Sequence, residues 1–299
     1  MTSITQSGTA AARATCFVPQ RAFDRPVPPI LPVVFREQRG RAFDPSAQTG
    51  FVVLDQSAHL GCPWPATTPT MLARYIVLRA GETHVHSLDA SGLVYHVIRG
   101  EGSASCGSDA FDWAAHDAFC MPGGEAVSLT SPDGAILMIF SDEPIFSYLG
   151  ASASTQAARR VAPAHFSFTR INERFREVHA HEGEQLNAGK AVLLVTDTMV
   201  DRKLATPGLL ASYNSLEPGG DQRAHKHSSA ALTLSIAGDR VHSTVDGQIV
   251  QWQPDTLIVT PPYAVHAHHN RGDQMMLSFV VQDTALFTEM RALSFEWTE

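Results

Sequence analysis

The stretch that decides the fold of this chain is a glycine turn followed by two histidines, Pro218-Gly219-Gly220-Asp221-Gln222-Arg223-Ala224-His225-Lys226-His227. An apolar run from Leu232 to Ile236 comes next and ends shortly before Gly238. In an extended strand, residues i and i+2 point to the same face of the sheet. A strand at this position therefore presents the imidazoles of His225 and His227 side by side.

The same arrangement occurs once before in the chain. The segment Tyr75–Gly81 precedes His84-Val85-His86, as Tyr213–Gly219 precedes the second pair. Each copy later reaches an aspartate, Asp117 or Asp255, which is followed by apolar residues and a proline. The copies lie 141 residues apart at the histidine pair and 138 residues apart at the aspartate. A repeat maintained over this distance indicates the duplication of one domain.

Short apolar runs separated by glycine and proline turns predict an all-β chain, with a sandwich or a barrel in each half. Four prolines between residues 26 and 32 exclude a helix and a central strand there, so we expect an extended arm laid along another surface. The expected organisation is an N-terminal arm at 1–45, a first domain at 46–150, a linker at 151–165 and a second domain at 166–299.

A third histidine belongs with the second pair. Residues 261–265 are rich in turn formers and lead into His266, which a neighbouring strand would bring opposite His225 and His227. Neutral imidazole is a favoured ligand of divalent iron, nickel, copper and zinc. Three imidazoles on one side of a metal leave coordination positions open for other ligands. A further pair, His179 and His181, lies among charged residues, and we expect it to be a solvated surface feature.

Composition excludes several classes of function. The chain has 299 residues, with 22 Lys and Arg against 30 Asp and Glu and a formal net charge of −8, so a nucleic acid is a poor partner. The longest apolar runs have the length of a strand, which predicts no membrane span. The four cysteines form no close pair, and the first residues lack a signal-peptide pattern. A cytoplasmic location follows as an expectation.

The motifs resemble those of the cupin superfamily. Residues 218–227 are similar to the first cupin motif, and residues 255–270, with His266-Ala267-His268-His269-Asn270 after a Thr-Pro, are similar to the second. The pattern most resembles the ring-cleaving bicupins of the gentisate 1,2-dioxygenase type, which include the salicylate and 1-hydroxy-2-naphthoate enzymes. The resemblance implies two tandem jelly-roll barrels. It also implies Fe(II) held by His225, His227 and His266, with dioxygen and a small aromatic or related oxygenated molecule as substrates.

Three positions show how far this resemblance extends. The general cupin pattern has a Glu ligand where this chain has Leu232, and its absence matches the three-histidine dioxygenases. In the first copy Val127 stands where the second has His266, which implies a degenerate site at His84 and His86 without a metal. The ring-cleaving enzymes carry a carboxylate-binding Arg where this chain has Thr233, and Arg223 or Arg240 would have to replace it.

His268 lies two residues beyond His266 and shares its face on an extended segment. The resemblance implies that it acts as a general acid–base or as a hydrogen-bond donor to the substrate. Two other functions stay open: a regulatory bicupin that binds a small ligand without turnover, and an isomerase or lyase that uses Zn, Ni or Mn. We expect a homo-oligomer, either a dimer or a tetramer.

Overall fold

The computed structural model describes residues 8–16, 18, 20, 27–153, 160–181 and 189–298. Parts of the predicted arm (1–7, 17, 19 and 21–26) and of the predicted linker (154–159) lie outside the described residues. Within the described part, the chain consists mainly of antiparallel strands that form four sheets. The all-β fold predicted from the sequence is confirmed.

The first ten strands form two sheets, which we call the N-terminal sheet pair. The larger sheet has the order β1-β2-β9-β4-β7-β10 and the smaller has the order β3-β8-β5-β6. The strands are β1 (Gly50–Val53), β2 (Leu72–Leu78), β3 (Thr83–His86), β4 (Leu93–Arg99), β5 (Gly102–Cys106), β6 (Asp109–Trp113), β7 (Ala118–Met121), β8 (Val127–Thr130), β9 (Ala135–Ser141) and β10 (Ala164–Phe166).

The next ten strands form the C-terminal sheet pair. Its two five-stranded sheets have the orders β11-β12-β19-β14-β17 and β16-β15-β18-β13-β20. The strands are β11 (Lys190–Leu194), β12 (Leu210–Leu216), β13 (His225–His227), β14 (Ala231–Ala237), β15 (Val241–Val245), β16 (Gln248–Gln251), β17 (Leu257–Thr260), β18 (His266–Asn270), β19 (Met276–Gln282) and β20 (Phe295–Trp297). The strand order therefore repeats the N-terminal sheet pair, as the duplicated sequence predicts.

Within the described ranges, five α-helices connect or flank these strands. They are α1 (Arg36–Ala42), α2 (Ser57–Leu60), α3 (Glu143–Leu149), α4 (Phe168–Ala180) and α5 (Thr284–Glu289), and two short 3-10 helices lie at Ala11–Arg13 and Asp197–Arg202. Helix α4 buries Ile171 and Phe175 and leaves its charged residues in solvent. In the part of the chain with described coordinates, no helix is both long enough and apolar enough to span a membrane.

The main core lies between the six-stranded sheet of the N-terminal pair and the β11-β12-β19-β14-β17 sheet of the C-terminal pair. All seven residues of β2 are buried, because one face of the strand packs on the C-terminal sheet pair and the other faces the interior of its own pair. Tyr75 and Val77 belong to the core shared with Tyr213, Leu232 and other C-terminal residues, whereas Ile76 and Leu78 point into the N-terminal interior. A strand that is covered on both faces is expected to be apolar along its length, and β2 is apolar except for Arg74, which is buried and pairs with Glu143 at 2.5 Å.

Segments that precede each sheet pair cross to the other one. In the N-terminal arm, the Phe35 N–H donates to the carbonyl of Leu257, and the carbonyl of Val33 accepts from Val259, so residues 33–35 extend the sheet beside β17. Strand β10 pairs in the same way with β7 of the N-terminal sheet pair. Residues 33–35 are extended and lie on a surface of the same chain, whereas residues 36–42 of the expected arm form helix α1. The domain boundaries themselves stay a prediction.

Candidate metal centre

Two neighbouring strands bring the three predicted histidines together. Strand β13 pairs antiparallel with β18, and this register places His225 opposite His266. The ring centroids lie 4.2 Å apart for His225 and His266 and 4.8 Å apart for His227 and His266. One ring nitrogen from each residue falls within 4.8 Å of those of the other two, and all three side chains are buried. The group has the size of a metal site.

Backbone carbonyls orient each of the three rings. The Nδ1 atoms of His225, His227 and His266 lie 3.0, 2.8 and 2.9 Å from the carbonyl oxygens of residues 223, 229 and 264. A carbonyl only accepts, so each Nδ1 carries the proton and donates it. The lone pair of each ring is then on Nε2, which is the form that binds a metal.

Burial keeps these imidazoles neutral. Desolvation lowers the pKa of His227 to about 4 and also lowers the pKa of His225 and His266 below that of an exposed histidine. At neutral pH the rings therefore carry no charge, and a divalent cation does not compete with protons for Nε2. The site fits iron, zinc, nickel or another divalent transition metal, because all of these accept imidazole nitrogen.

The described residues add no carboxylate to the group. Leu232, at the position of the general cupin glutamate, packs in the main core instead of beside the histidines. The histidines line a cavity of about 500 Å³ between the two C-terminal sheets, which gives a ligand access to the centre. A metal bound to three imidazoles here would have open positions on the cavity side.

Uncharged side chains line this cavity. Apolar surface comes from Ala191, Leu193, Leu210, Ala231, Val280, Leu293 and Phe295. Hydrogen-bonding groups come from Asn214, Gln222, Ser229, Thr233, Thr260, Gln282, Thr284 and Ser294, in addition to the histidines. Among the described lining residues there is no Lys, Arg, Asp or Glu. The cavity thus combines an apolar wall with neutral donors and acceptors.

His268 lines the same cavity, as its position predicts. Its Nδ1 lies 2.8 Å from the Ser243 hydroxyl, which also accepts a 2.7 Å hydrogen bond from the indole N–H of Trp252. This arrangement fixes the ring and leaves Nε2 available to a ligand. Burial lowers the pKa of His268 to about 3, so the ring is neutral at pH 7. His269 points the other way and contacts Asp221.

Two amides beside the centre were not identified from the sequence. The Nε2 atom of Gln282 lies 3.5 Å from Nε2 of His227, at the spacing of two groups that face one metal site. Asn214 lines the cavity from β12, the strand next to β19. A single amide on a strand gives no local sequence pattern. The position of both residues on the inward faces of repeated strands is the signal that could have identified them.

The replacement arginines are not found in the cavity. The guanidinium of Arg223 stacks on the Trp297 ring at 4.7 Å, and Arg240 forms an exposed ion pair with Asp273 at 3.2 Å. Neither residue lines the cavity. Thr233 does line it, as the sequence predicted, so no described cation stands in for the missing Arg.

The first histidine pair has apolar and aromatic neighbours among the described residues. His86 lies opposite Val127 in the β3–β8 register, and its Nε2 is 2.7 Å from the Tyr95 hydroxyl. The His84 and His86 rings stack at 5.1 Å, with Phe51 packed against both. Among the described residues, the metal-sized group of histidines is the one in the C-terminal sheet pair.

The expectation for His179 and His181 is only half right. His181 is exposed, but His179 is half-buried at the end of α4. Its two ring nitrogens lie 3.1 Å from the Glu217 carboxylate and 2.9 Å from the Ser215 hydroxyl. The helix packs against β11 and β12 and thereby takes His179 out of solvent, which the charged local sequence did not indicate.

Comparisons with known proteins agree with this geometry. A family model described as a cupin domain matches residues 213–282. A 5-nitrosalicylic acid 1,2-dioxygenase from Bradyrhizobium sp is 33% identical over 91 residues, which is 30% of this chain and 44% of the relative. A gentisate 1,2 dioxygenase from Aquipseudomonas alcaligenes is 26% identical over 138 residues, 45% of this chain and 39% of the relative. The chain therefore spans less than half the length of these curated relatives.

Solved structures match over a greater length. A salicylate 1,2-dioxygenase from Pseudaminobacter salicylatoxidans has a TM-score of 0.74 with 14% identity, covering 90% of this chain and 88% of that one. A cupin 2 conserved barrel domain protein from Leptotrichia buccalis has a TM-score of 0.54 and 13% identity, covering 85% of this chain and 96% of that one. The resemblance drawn from the motifs is thus confirmed: this chain carries a cupin domain and is similar to gentisate 1,2-dioxygenase-like cupins in sequence and to salicylate 1,2-dioxygenase in fold.

Proposed function

We propose that this protein is a mononuclear non-haem Fe(II) dioxygenase of the gentisate dioxygenase-like type, acting on a small aromatic or related oxygenated substrate. The observation that carries the proposal is the convergence of three neutral imidazoles on an open cavity without a carboxylate ligand. The names of the sequence relatives support the reaction class.

Residues of this chain would have three roles: binding the metal, packing against the substrate and transferring a proton. His225, His227 and His266 would hold the iron, which supplies coordination of the substrate oxygens and activation of dioxygen. The apolar wall that includes Leu210 and Val280 would pack against an aromatic ring and exclude water. Insertion of both oxygen atoms of O₂ at a cleaved ring C–C bond balances without an external reductant, because that bond supplies the electrons.

His268 would move the proton of the substrate. Its neutral Nε2 can accept a hydroxyl proton, while Ser243 and Trp252 keep the ring in place. Replacement by glutamine, His268→Gln, should preserve metal content and lower kcat by ~10²–10⁴-fold, the usual contribution of a positioned general base. Loss of bound metal in this variant would contradict the assignment, because it would place His268 among the ligands.

The test of the function is anaerobic reconstitution with Fe(II), followed by oxygen uptake with hydroxylated aromatic compounds that differ in ring substituents. We expect uptake with at least one compound, one O₂ per substrate and no need for a reductant. Zinc- and nickel-loaded protein serves as the control and should not consume oxygen. Uptake by none of the compounds, together with activity of the zinc or nickel form in an isomerase or lyase assay, would contradict the proposal.

A further inference from the structure

The charges around the cavity restrict what it can bind. Three imidazoles form the centre, each with Nδ1 directed at a backbone carbonyl, and the described lining residues include no Lys, Arg, Asp or Glu. The segment 182–188, which lies outside the described residues and precedes Gly189, contains no Lys or Arg. A metal ion would therefore be the one positive charge that a substrate meets among the described groups.

Cationic side chains near the site are directed away from it. Lys226 lies between the two ligand histidines on β13, so its side chain leaves from the opposite face and pairs with Glu296 at 3.0 Å. Arg223 stacks on Trp297, a ring that packs against His225 without lining the cavity, and Arg271 pairs with Asp221 at 2.5 Å. Lys190, at the start of β11, is bound to Glu217. Each of these charges is held by a partner outside the cavity.

A substrate with its own free anionic group would be poorly matched to this lining. Two oxygens on adjacent ring carbons can bind the metal, whose charge balances them. A carboxylate elsewhere on the ring would be desolvated against Leu210, Val280 and neutral amides without a cationic partner. An unpaired charge in a partly apolar cavity is strongly unfavourable, whereas a neutral amide or hydroxyl is satisfied by Asn214 or Thr233.

We infer that the cavity selects a neutral substrate: an aromatic ring with adjacent metal-binding oxygens, or oxygen and nitrogen, and no free carboxylate. This inference rests on the proposed function. Thr233 is the specificity-determining position, because it lies on β14 in the cavity lining, opposite Val280 on β19. Its hydroxyl can donate to or accept from a neutral group but cannot balance a charge.

Two matched pairs of probes separate charge from size. The first pair is 3,4-dihydroxybenzamide and 3,4-dihydroxybenzoate, and the second is 3,4-dihydroxyphenylacetamide and 3,4-dihydroxyphenylacetate, so that the carboxylate lies away from both ring oxygens in each acid. The members of each pair have nearly the same shape and differ by one negative charge. Calorimetry with zinc-loaded wild-type protein measures binding without turnover. We expect the amide to bind at least ~10-fold more tightly than the acid in both pairs.

A substitution at the proposed position provides the second measurement. Thr233→Arg should raise the affinity for at least one acid by ~10-fold or more, since a guanidinium pairs with a carboxylate, and Thr233→Gln, similar in reach but neutral, should not. Equal affinities in the wild type, tighter binding of an acid, or no binding of any probe would overturn the inference. Oxygen uptake with an acid but not its amide would overturn the inference while leaving the proposed function intact. Tighter binding of the amides together with no oxygen uptake by the iron-loaded protein would contradict the proposed function and leave the inference intact.

Discussion

The two sheet pairs have the same strand order, but the interior of one is filled with apolar side chains and the interior of the other holds a cavity. In the N-terminal pair, Tyr95 faces Ile139 across β4 and β9, and in the C-terminal pair the same register places Thr233 opposite Val280. Two residues earlier on the same strands, β4 has Leu93 where β14 has Ala231, which is again a large side chain in the first pair and a small one in the second. Large apolar side chains fill the first interior, and small or polar ones leave a cavity of about 500 Å³ in the second.

The other sheet of each pair, which contains β5 and β8 or β15 and β18, shows the same replacement of apolar side chains by polar ones. Strands β5 and β8 pair Ala104 with Leu129, where β15 and β18 pair Ser243 with His268. One register step along, Val127 stands where the C-terminal pair has His266. The backbone therefore tolerates either an apolar core or a polar ligand cavity. Among the described residues, the N-terminal pair has an apolar cluster in its own interior besides the shared core, whereas most buried apolar residues of the C-terminal pair lie in the shared core.

Removing one ligand histidine should have the largest effect. His266→Ala should lower iron affinity and oxygen uptake by more than ~100-fold, because loss of an outer-sphere partner alone costs about 10–100-fold. His86→Ala removes a histidine of the other pair and should leave one metal per chain. Metal analysis of both variants checks this expectation. If His86→Ala also abolished metal binding, the division between a metal-binding pair and a metal-free pair would be wrong.

Exchanging the matching core residue should reveal the cost of an open interior. Tyr95 is fully buried, stacks on Phe119 at 4.5 Å and bonds His86. Tyr95→Thr, which introduces the residue of the other pair, should destabilise the chain by about 3–5 kcal/mol through the cavity it leaves. Tyr95→Phe should cost only about 1 kcal/mol, since it loses one hydrogen bond. Denaturant unfolding measures both, and a loss below ~1 kcal/mol for Tyr95→Thr would contradict a tightly packed interior.

The matching aspartates after β9 and β19 should give a smaller, pH-dependent effect. Burial raises the pKa of Asp142 and of Asp283 to about 6 from 3.8. A folded-state pKa above the unfolded value favours the folded state at low pH, and this contribution is lost as the pH rises from about 4 to above 6. Each group changes stability by up to about 3 kcal/mol over that interval.

Asparagine at either position removes the titration. Asp142→Asn should match the wild type near pH 4 and become progressively more stable than it above pH 5, because only the wild type must ionise a buried carboxyl. The difference in stability between the variant and the wild type reports Asp142 alone, because the buried histidines contribute equally to both proteins. The histidines make stability rise with pH, which is the opposite dependence. Thermal unfolding from pH 4 to 8 measures it. Asp283→Asn should show the same pH dependence, and a difference that is constant with pH would contradict the raised pKa.

Much of this comparison could be read from the sequence. The strands follow from apolar runs between glycine and proline turns, and the ligand triad follows from the two-residue period of β13 and the position of His266. The missing third ligand was also visible, because Val127 stands at the matching place. These features depend on local spacing or on the repeat, which a sequence displays directly.

Other features depend on packing that no local pattern shows. Gln282 and Asn214 reach the cavity from strands far apart in the chain. The crossing of residues 33–35 onto β17, and the pairing of β20 with β13, are long-range backbone contacts between segments without a strong strand pattern. His179 is covered by a helix–sheet contact of the same long-range kind. In each case tertiary packing, rather than propensity, decides the position.

The most direct test of the account is the position of the metal. Crystals grown anaerobically with Fe(II) and measured at the iron absorption edge should show one anomalous peak per chain, about 2.1 Å from Nε2 of His225, His227 and His266, with open positions toward the cavity. An empty site at these three atoms, or iron bound between His84 and His86 instead, would contradict the account.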